Sequence, residues 1–160
     1  MFRIGLGTDI HRFESGRKLI LGGVEIPHEQ GLAGYSDADC VLHAISDALL
    51  GAAALGDLGE HFPPNDENKD RPSSEILREV CQKVWDRGFR VSNVDVVIMA
   101  EVPKISPHRE QMAELIATYL GIEKSCVGIK ATTCEGLGTI GRKEGIAVQA
   151  IALLEKKKHG

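Results

Sequence analysis

A chain of 160 residues, 42% apolar and 26% charged, has the size and composition of one globular domain, and about 70% of its unfolded surface can be buried without disulfides. A formal charge of −4 and a pI near 5.9 leave no basic field to attract a polyanion, and 4% aromatic residues argue against a base-stacking nucleic-acid platform. An anionic ligand must therefore be held locally, by a metal, backbone amides or single cations. Cys40, Cys81, Cys126 and Cys134 form no CxxC pair, the opening residues lack an apolar signal core, and no run approaches ~18 apolar residues. These features imply reduced thiols in a cytoplasmic protein with no membrane span. The basic stretch 156–160 reads as a solvated terminus.

Residues 2–10 predict a strand in which Ile4, Leu6 and Thr8 alternate with Arg3, Gly5 and Gly7. Two short apolar runs, 19–21 and 24–26, flank Gly22-Gly23 and predict a hairpin. Ser36-Asp37-Ala38-Asp39 resembles a capping box, and Val41, Leu42, Ile45, Leu49 and Ala52 then keep helical spacing to about residue 54. Residues 56–72, polar and proline-rich, predict a loop. A helix capped by Ser73 or Ser74 runs to about residue 87 and ends at Gly88. Residues 91–100 predict a buried strand, Ser106-Pro107 opens a third helix to about residue 120, and 127–133 and 145–154 predict the last strands. The whole chain, 1–160, reads as one α+β domain, with helices on one face of a mixed sheet. The last strands are apolar on consecutive residues, so the other face needs a cover too, which points to a second subunit.

Asp9 and His11, two apart at a strand end, project from one face with Cα atoms roughly 7 Å apart, within reach of one shared ion. His43 lies in the capped helix, with Asp47 or Asp39 as partner for its second ring nitrogen. Two histidines and a carboxylate with an open fourth position form a catalytic zinc pattern, although each piece alone also fits a hydrogen-bonded strand end or a packed helix histidine. Thr132, Thr133 and Glu135 at another strand end can meet a phosphate and its metal, or simply close a polar terminus. Gly136 to Gly141 spells G-x-G-x-x-G but is followed by a strand, so it is no dinucleotide fingerprint. Arg142 just beyond it can reach a phosphate or stay an exposed loop cation. His61 and His108 have no partner that spacing identifies.

Taken in order, Gly5-x-Gly7-x-Asp9-x-His11, Gly22-Gly23-Val24-x-Ile26-Pro27, Ser36-Asp37-x-Asp39-x-x-x-His43, Gly56-Asp57-x-Gly59, Phe62-Pro63, Asn93-Val94-Asp95, Pro103-Lys104, Lys130-Ala131-Thr132-Thr133-x-Glu135 and Gly141-Arg142-x-Glu144-Gly145 span the chain. Together they resemble the 2-C-methyl-D-erythritol 2,4-cyclodiphosphate synthase family of the non-mevalonate isoprenoid pathway. The resemblance implies a homotrimer whose sheets pack around a threefold axis, with active sites between subunits. It implies zinc on Asp9, His11 and His43, a substrate phosphate as fourth ligand, and magnesium or manganese across the α- and β-phosphates with help from Glu135. It places the methylerythritol part on Asp57, Leu58 and Gly59, within a site that also takes in Tyr35, Ser36, Phe62, Pro63 and Asp66. Cytidine is implied near Ala100, Pro103, Lys104, Ile105 and Ser106 and near Ala131, Thr132 and Thr133, with Tyr35 and Thr133 catalytic.

The implied reaction is attack of a 2-phosphate on the β-phosphorus of the same molecule's cytidine diphosphate, closing a ring and expelling CMP. A tethered nucleophile exploits effective molarities on the order of 10⁵–10⁸ M, and cations, Lys104 among them, offset the approach of anion to anion. An acidic chain can thus handle a multiply anionic substrate. Three positions depart from the family pattern. Tyr35 replaces a histidine beside the reacting phosphates, Pro64-Asn65 replaces an acidic position in the substrate loop, and Thr139 replaces a phenylalanine lining an axial cavity in which Arg142 can meet an isoprenoid diphosphate. Two other readings share the same ligands: a zinc phosphodiesterase giving an open-chain product, and a nucleotide or metal sensor without turnover.

Overall fold

The computed structural model describes residues 1–157. In chain order its elements are β1 (Phe2–Ser15), β2 (Leu19–Leu21), β3 (Val24–Ile26), β4 (Gln30–Leu32), α1 (Cys40–Ala52), α2 (Leu58–His61), α3 (Ser73–Asp86), β5 (Phe89–Met99), α4 (Arg109–Leu120), β6 (Val127–Thr132), α5 (Gly138–Gly141) and β7 (Gly145–Lys156). One sheet runs β4-β1-β7-β5-β6, and β2–β3 form a separate hairpin. Among the described residues only β5 and β6 pair in parallel, so the sheet is mixed and the fold α+β, as the sequence implies.

Backbone chemistry explains most boundaries. Gly22 and Gly23 take φ of +60° and +80°, the two left-handed residues a tight hairpin turn requires. Gly121, at φ +67°, closes α4. The helix cap ahead of α1 is Asp39, not Ser36: its carboxylate accepts from Val41 N and Leu42 N, both at 3.1 Å. The same side chain accepts from Gly22 N at 2.9 Å and Gly23 N at 2.7 Å, pinning the hairpin to the helix start. Burial, with the charge of Asp37, pushes the Asp39 carboxyl up to about 6 against the pull of these amides. Asp39→Ala removes a cap and orphans two hairpin amides, so a loss of about 2–4 kcal/mol is expected in urea unfolding. An unchanged midpoint would refute this double role.

Some elements differ from expectation. β1 continues past residue 10 to Ser15 because Arg12 pairs with Gly145 and Phe13 with Leu32. The segment 56–72 contains α2, capped by Asp57, and a 3-10 turn at Asp66–Asn68, capped by Asn65. The third helix is a 3-10 turn at Ser106–His108 that runs into α4. A Pro72 N-cap without a side-chain bond precedes α3, so neither Ser73 nor Ser74 caps it. Of the basic tail, Lys156 ends β7 and Lys157 lies over the Trp85 ring at 3.8 Å, while residues 158–160 lie outside the described residues.

The core lies between one sheet face and the helices. Ile146, Val148, Ala150, Ala152 and Leu154 of β7 and Val94, Val96 and Ile98 of β5 point into it, against a nearly wholly buried α1. On β1 it is Gly5 and Gly7 that face α1, while Ile4, Leu6 and Ile10 face outward, 71%, 63% and 59% exposed, next to Ile151 at 45%. One sheet face is therefore apolar and uncovered in the single chain. Among the described residues, no helix is long and apolar enough to cross a membrane.

Candidate metal centre

Asp9 and His11 leave β1 on the same face as Gly5 and Gly7, and His43 faces them from the second turn of α1. A Cβ on Gly7 would lie 2.0 Å from Ala44 O, so the glycines set how closely the helix approaches the strand. One ligand atom from each of Asp9, His11 and His43 falls within 4.8 Å of the others. Asp9 Oδ2 is 2.8 Å from His11 Nε2 and 3.3 Å from His43 Nδ1. Ligands bonded at about 2.1 Å to a tetrahedral ion stand roughly 3.4 Å apart, so this spacing fits a single ion.

The hydrogen bonds agree. His11 Nδ1 lies 2.6 Å from Ala33 O, which can only accept, so Nδ1 carries the hydrogen and Nε2 the lone pair. Nε2 is buried beside Asp9 Oδ2 at 2.8 Å, and once it has lost its proton its lone pair is free to ligate. The second nitrogen of His43 meets neither expected partner. Asp39 is occupied as a cap, and Asp47 accepts from Leu58 N at 3.0 Å. That nitrogen meets Ser73 Oγ at 2.9 Å and Ser36 Oγ at 3.2 Å instead.

Burial raises the Asp9 pKa, but the close polar contacts and positive charge of the two imidazoles beside it, His11 and His43, outweigh it and hold the carboxyl well below its ordinary 3.8. Burial lowers the His11 pKa, but the bond and charge of Asp9 lift it above 6.5. In the metal-free protein, the Asp9 contribution to stability is present above pH 3.8 and lost as pH falls through its depressed value. That of His11 is present below pH 6.5 and lost as pH rises through its raised value. A metal must displace the His11 proton, so apparent affinity is expected to rise with pH across the range from 6.5 up through the raised His11 value. Chelator competition across that range reads it directly, and a flat profile would contradict it.

The three ligands lie in a cleft of about 300 Å³ with Tyr35, Ser36, Leu58, Gly59, Phe62 and Pro63. Pro64, Asn68 and Ile76 also line it, a role no sequence motif marks. Asp57 stands beside the cleft as the cap of α2, accepting from Glu60 N at 3.0 Å, and Asp66 opens the neighbouring 3-10 turn.

A second group of expected residues gathers at the carboxyl ends of β5 and β6. Ala100 N donates to Thr132 O at 3.0 Å, and Glu101 accepts from Cys134 N at 2.8 Å, which shapes the turn that carries Glu135. Pro103, Lys104, Ile105 and Ser106 follow Ala100 in this corner. Asp9, Val148, Ile98 and Ala131 form one row across the sheet. Ala131 is therefore three strand spacings from Asp9, about 14 Å, and one chain does not bring the two groups side by side. Thr139 lines a separate cleft with Ile10, His11 and Arg12, while the Arg142 guanidinium is taken up by Glu144 at 2.9 Å.

The YgbB family profile matches residues 2–155. The 2-C-methyl-D-erythritol 2,4-cyclodiphosphate synthase of Syntrophomonas wolfei is 54% identical over 155 residues, covering 96% of this chain and 99% of its own. The bifunctional IspDF of Campylobacter jejuni superimposes with a TM-score of 0.95 at 40% identity, over 99% of this chain and 43% of that one. The CDP complex of IspF from Plasmodium falciparum gives 0.87 at 36% identity, over 98% and 97% of the two chains.

Proposed function

We propose a metal-assisted cyclisation, run in the cytoplasm by a homotrimer, for this chain, which belongs to the YgbB family of 2-C-methyl-D-erythritol 2,4-cyclodiphosphate synthases. It is an enzyme of isoprenoid precursor biosynthesis, a lyase converting 4-diphosphocytidyl-2-C-methyl-D-erythritol 2-phosphate to the 2,4-cyclodiphosphate with release of CMP. The convergence of Asp9, His11 and His43 within one cleft is the observation that carries the chemistry. Zinc on these three residues, with magnesium or manganese near Glu135, supplies Lewis-acid charge neutralisation to the reacting phosphates when bound.

The protein's own residues do the rest by placement. The turn through Leu58 and Gly59 is held where Asp47 accepts from Leu58 N and Asp57 from Glu60 N, and its remaining backbone groups meet the methylerythritol hydroxyls. Phe62 and Pro63 exclude water from the cleft wall. The Tyr35 phenol donates one hydrogen bond to a reacting phosphate oxygen. The 2-phosphate oxygen forms its bond to the β-phosphorus as the bond to CMP breaks, so no side-chain nucleophile is needed.

Two observations favour a site shared between subunits. The uncovered face with Ile4, Leu6, Ile10 and Ile151 suits packing around a threefold axis, since apolar faces of this kind mark interfaces. Residues of the β5–β6 corner, about 14 Å across the sheet from the ligands, can then reach the substrate from the neighbouring copy. There Lys104 offsets charge on the diphosphate, and Ala100, Ala131, Thr132 and Thr133 hold cytidine, in keeping with the CDP bound by the Plasmodium falciparum relative. The free state of all four cysteines agrees with a cytoplasmic setting.

Incubation with the cytidine diphosphate substrate, zinc and magnesium, followed by ³¹P NMR, tests the reading. A cyclic diphosphate and CMP are expected. A linear monophosphate would make the protein a phosphodiesterase, and no turnover a sensor. Tyr35→Phe is expected to lower kcat about 10-fold, the worth of one hydrogen bond to a charged group. An unchanged kcat would remove Tyr35 from the mechanism.

A further inference from the structure

His43 faces the ligand cluster with one ring nitrogen and the protein with the other, and its protein-side neighbours settle which keeps a hydrogen once a metal takes the other. Nδ1 lies 3.3 Å from Asp9 Oδ2. Nε2 lies 2.9 Å from Ser73 Oγ and 3.2 Å from Ser36 Oγ, which also accepts from Ala38 N. Ser73 is the fully buried first residue of α3, and its hydroxyl also bonds to Asp37 Oδ1. Both oxygens of Asp37 already accept amide hydrogens, Oδ1 from Asp39 N at 3.1 Å and Oδ2 from Ser73 N at 3.1 Å. A carboxylate held this way only accepts, so the one hydroxyl hydrogen of Ser73 goes to Asp37. A lone pair of Ser73 Oγ then faces His43 Nε2, and this shorter of the two hydroxyl contacts is made by a hydrogen on Nε2.

We propose that Asp37 and Ser73 form a positioning relay that fixes the ring orientation and the Nε2–H tautomer of His43, leaving Nδ1 as its metal-ligating atom. The relay rests on the metal centre proposed above and deepens it. A ligating imidazole tied to a carboxylate cannot swing away when the ion leaves, so the site stays preorganised. Asp37 has a second duty. Pro72 makes no side-chain cap for α3, and the Asp37 carboxylate meets the Ser73 amide at that helix's positive end. The segment that carries Leu58, Gly59, Phe62 and Pro63 ends at this point. One carboxylate therefore ties the end of the substrate-side segment to a metal ligand.

Zinc-loaded protein with ¹⁵N-labelled histidine is expected to show His43 coordinated through Nδ1 and protonated at Nε2. Ser73→Ala keeps the backbone bond to Asp37, and its zinc dissociation constant, read by chelator competition, is expected to rise about 10- to 100-fold. Ser73→Thr retains the hydroxyl and is expected to bind zinc as the wild type does. Coordination through Nε2, or equal zinc affinity in wild type and Ser73→Ala, would overturn the relay while leaving the metal centre intact. Equal weakening in Ser73→Ala and Ser73→Thr would assign the effect to packing and also overturn it. Should Ser73→Ala fail to fold, the ligating atom of the wild type decides alone. A wild type that binds no zinc removes the metal centre and the relay with it.

Discussion

Gly7→Ala is expected to destabilise the protein severely and to open its metal site at the same time. A Cβ at this position would stand 2.0 Å from Ala44 O and 2.6 Å from Ala48 N, both main-chain atoms of α1. Neither can step aside as a flexible side chain can, so the helix must lift by more than an ångström, on the order of one methyl radius, from a strand it packs against throughout. Overpacking with side-chain neighbours costs about 1–3 kcal/mol; here the cost should exceed that range, a large share of the 5–15 kcal/mol that holds a typical domain. Lifting α1 also carries His43, next to Ala44, away from Asp9 and His11, so zinc affinity should fall with stability. Gly51→Ala is the control. It lies in the same helix with nothing within 4 Å of the added carbon, and replacing a helical glycine there should stabilise by up to ~1 kcal/mol. Urea midpoints of both variants decide the matter. A wild-type midpoint for Gly7→Ala would show that glycine there is incidental.

That contact also marks where local reading of the sequence stops. Alternation along β1 is legible, yet it does not say that the glycine side, not the Ile4 and Leu6 side, meets the helix. The choice follows from how close α1 must come for His43 to reach Asp9. The hairpin, α1, β5, α4 and β7 are legible because their signals are local: glycines at positive φ, a 3.6-residue period, runs of β-branched residues. β4 has three residues and exists only because Phe13, Glu14 and Ser15 offer it an edge, so no pattern of its own announces it. The cap of α3 is invisible for a similar reason, since its acceptor, Asp37, is 36 residues away. The Asp9–His11 pair is legible from its spacing of two. The partner of His43 is not, because the i+4 neighbour Asp47 is drawn off by Leu58 N and the real partner arrives from another helix. The caps of α2 and of the 3-10 turn had readable signals in Asp57-x-x-Glu60 and Asn65-x-x-Asn68, hidden within a segment whose prolines suggest a loop.

His43→Ala is expected to abolish stoichiometric zinc binding and to lower kcat/KM by about 10³-fold or more, since losing several kcal/mol of charge neutralisation has that effect on a phosphoryl transfer. The fold should survive. His43 contributes one side chain to a cluster in which Asp9 and His11 remain paired at 2.8 Å, and the backbone bond from His43 N to Asp39 O is unaffected by truncation. Stability and activity can therefore be separated by adding metal. In the wild type, zinc at about 100 times its dissociation constant should stabilise by about 2.7 kcal/mol, by mass action on the folded state alone. In His43→Ala the same addition should leave the unfolding midpoint where it was, because two remaining ligands hold zinc far more weakly than three. Treating the wild type with a chelator should bring its midpoint down to that of the variant in zinc, less whatever the imidazole contributes by packing. Two outcomes would refute this assignment: zinc retained at one ion per chain in the variant, or activity kept at wild-type level after the metal is gone. Either would mean that the convergence of Asp9, His11 and His43 is a structural hydrogen-bond cluster and that the phosphates are neutralised elsewhere.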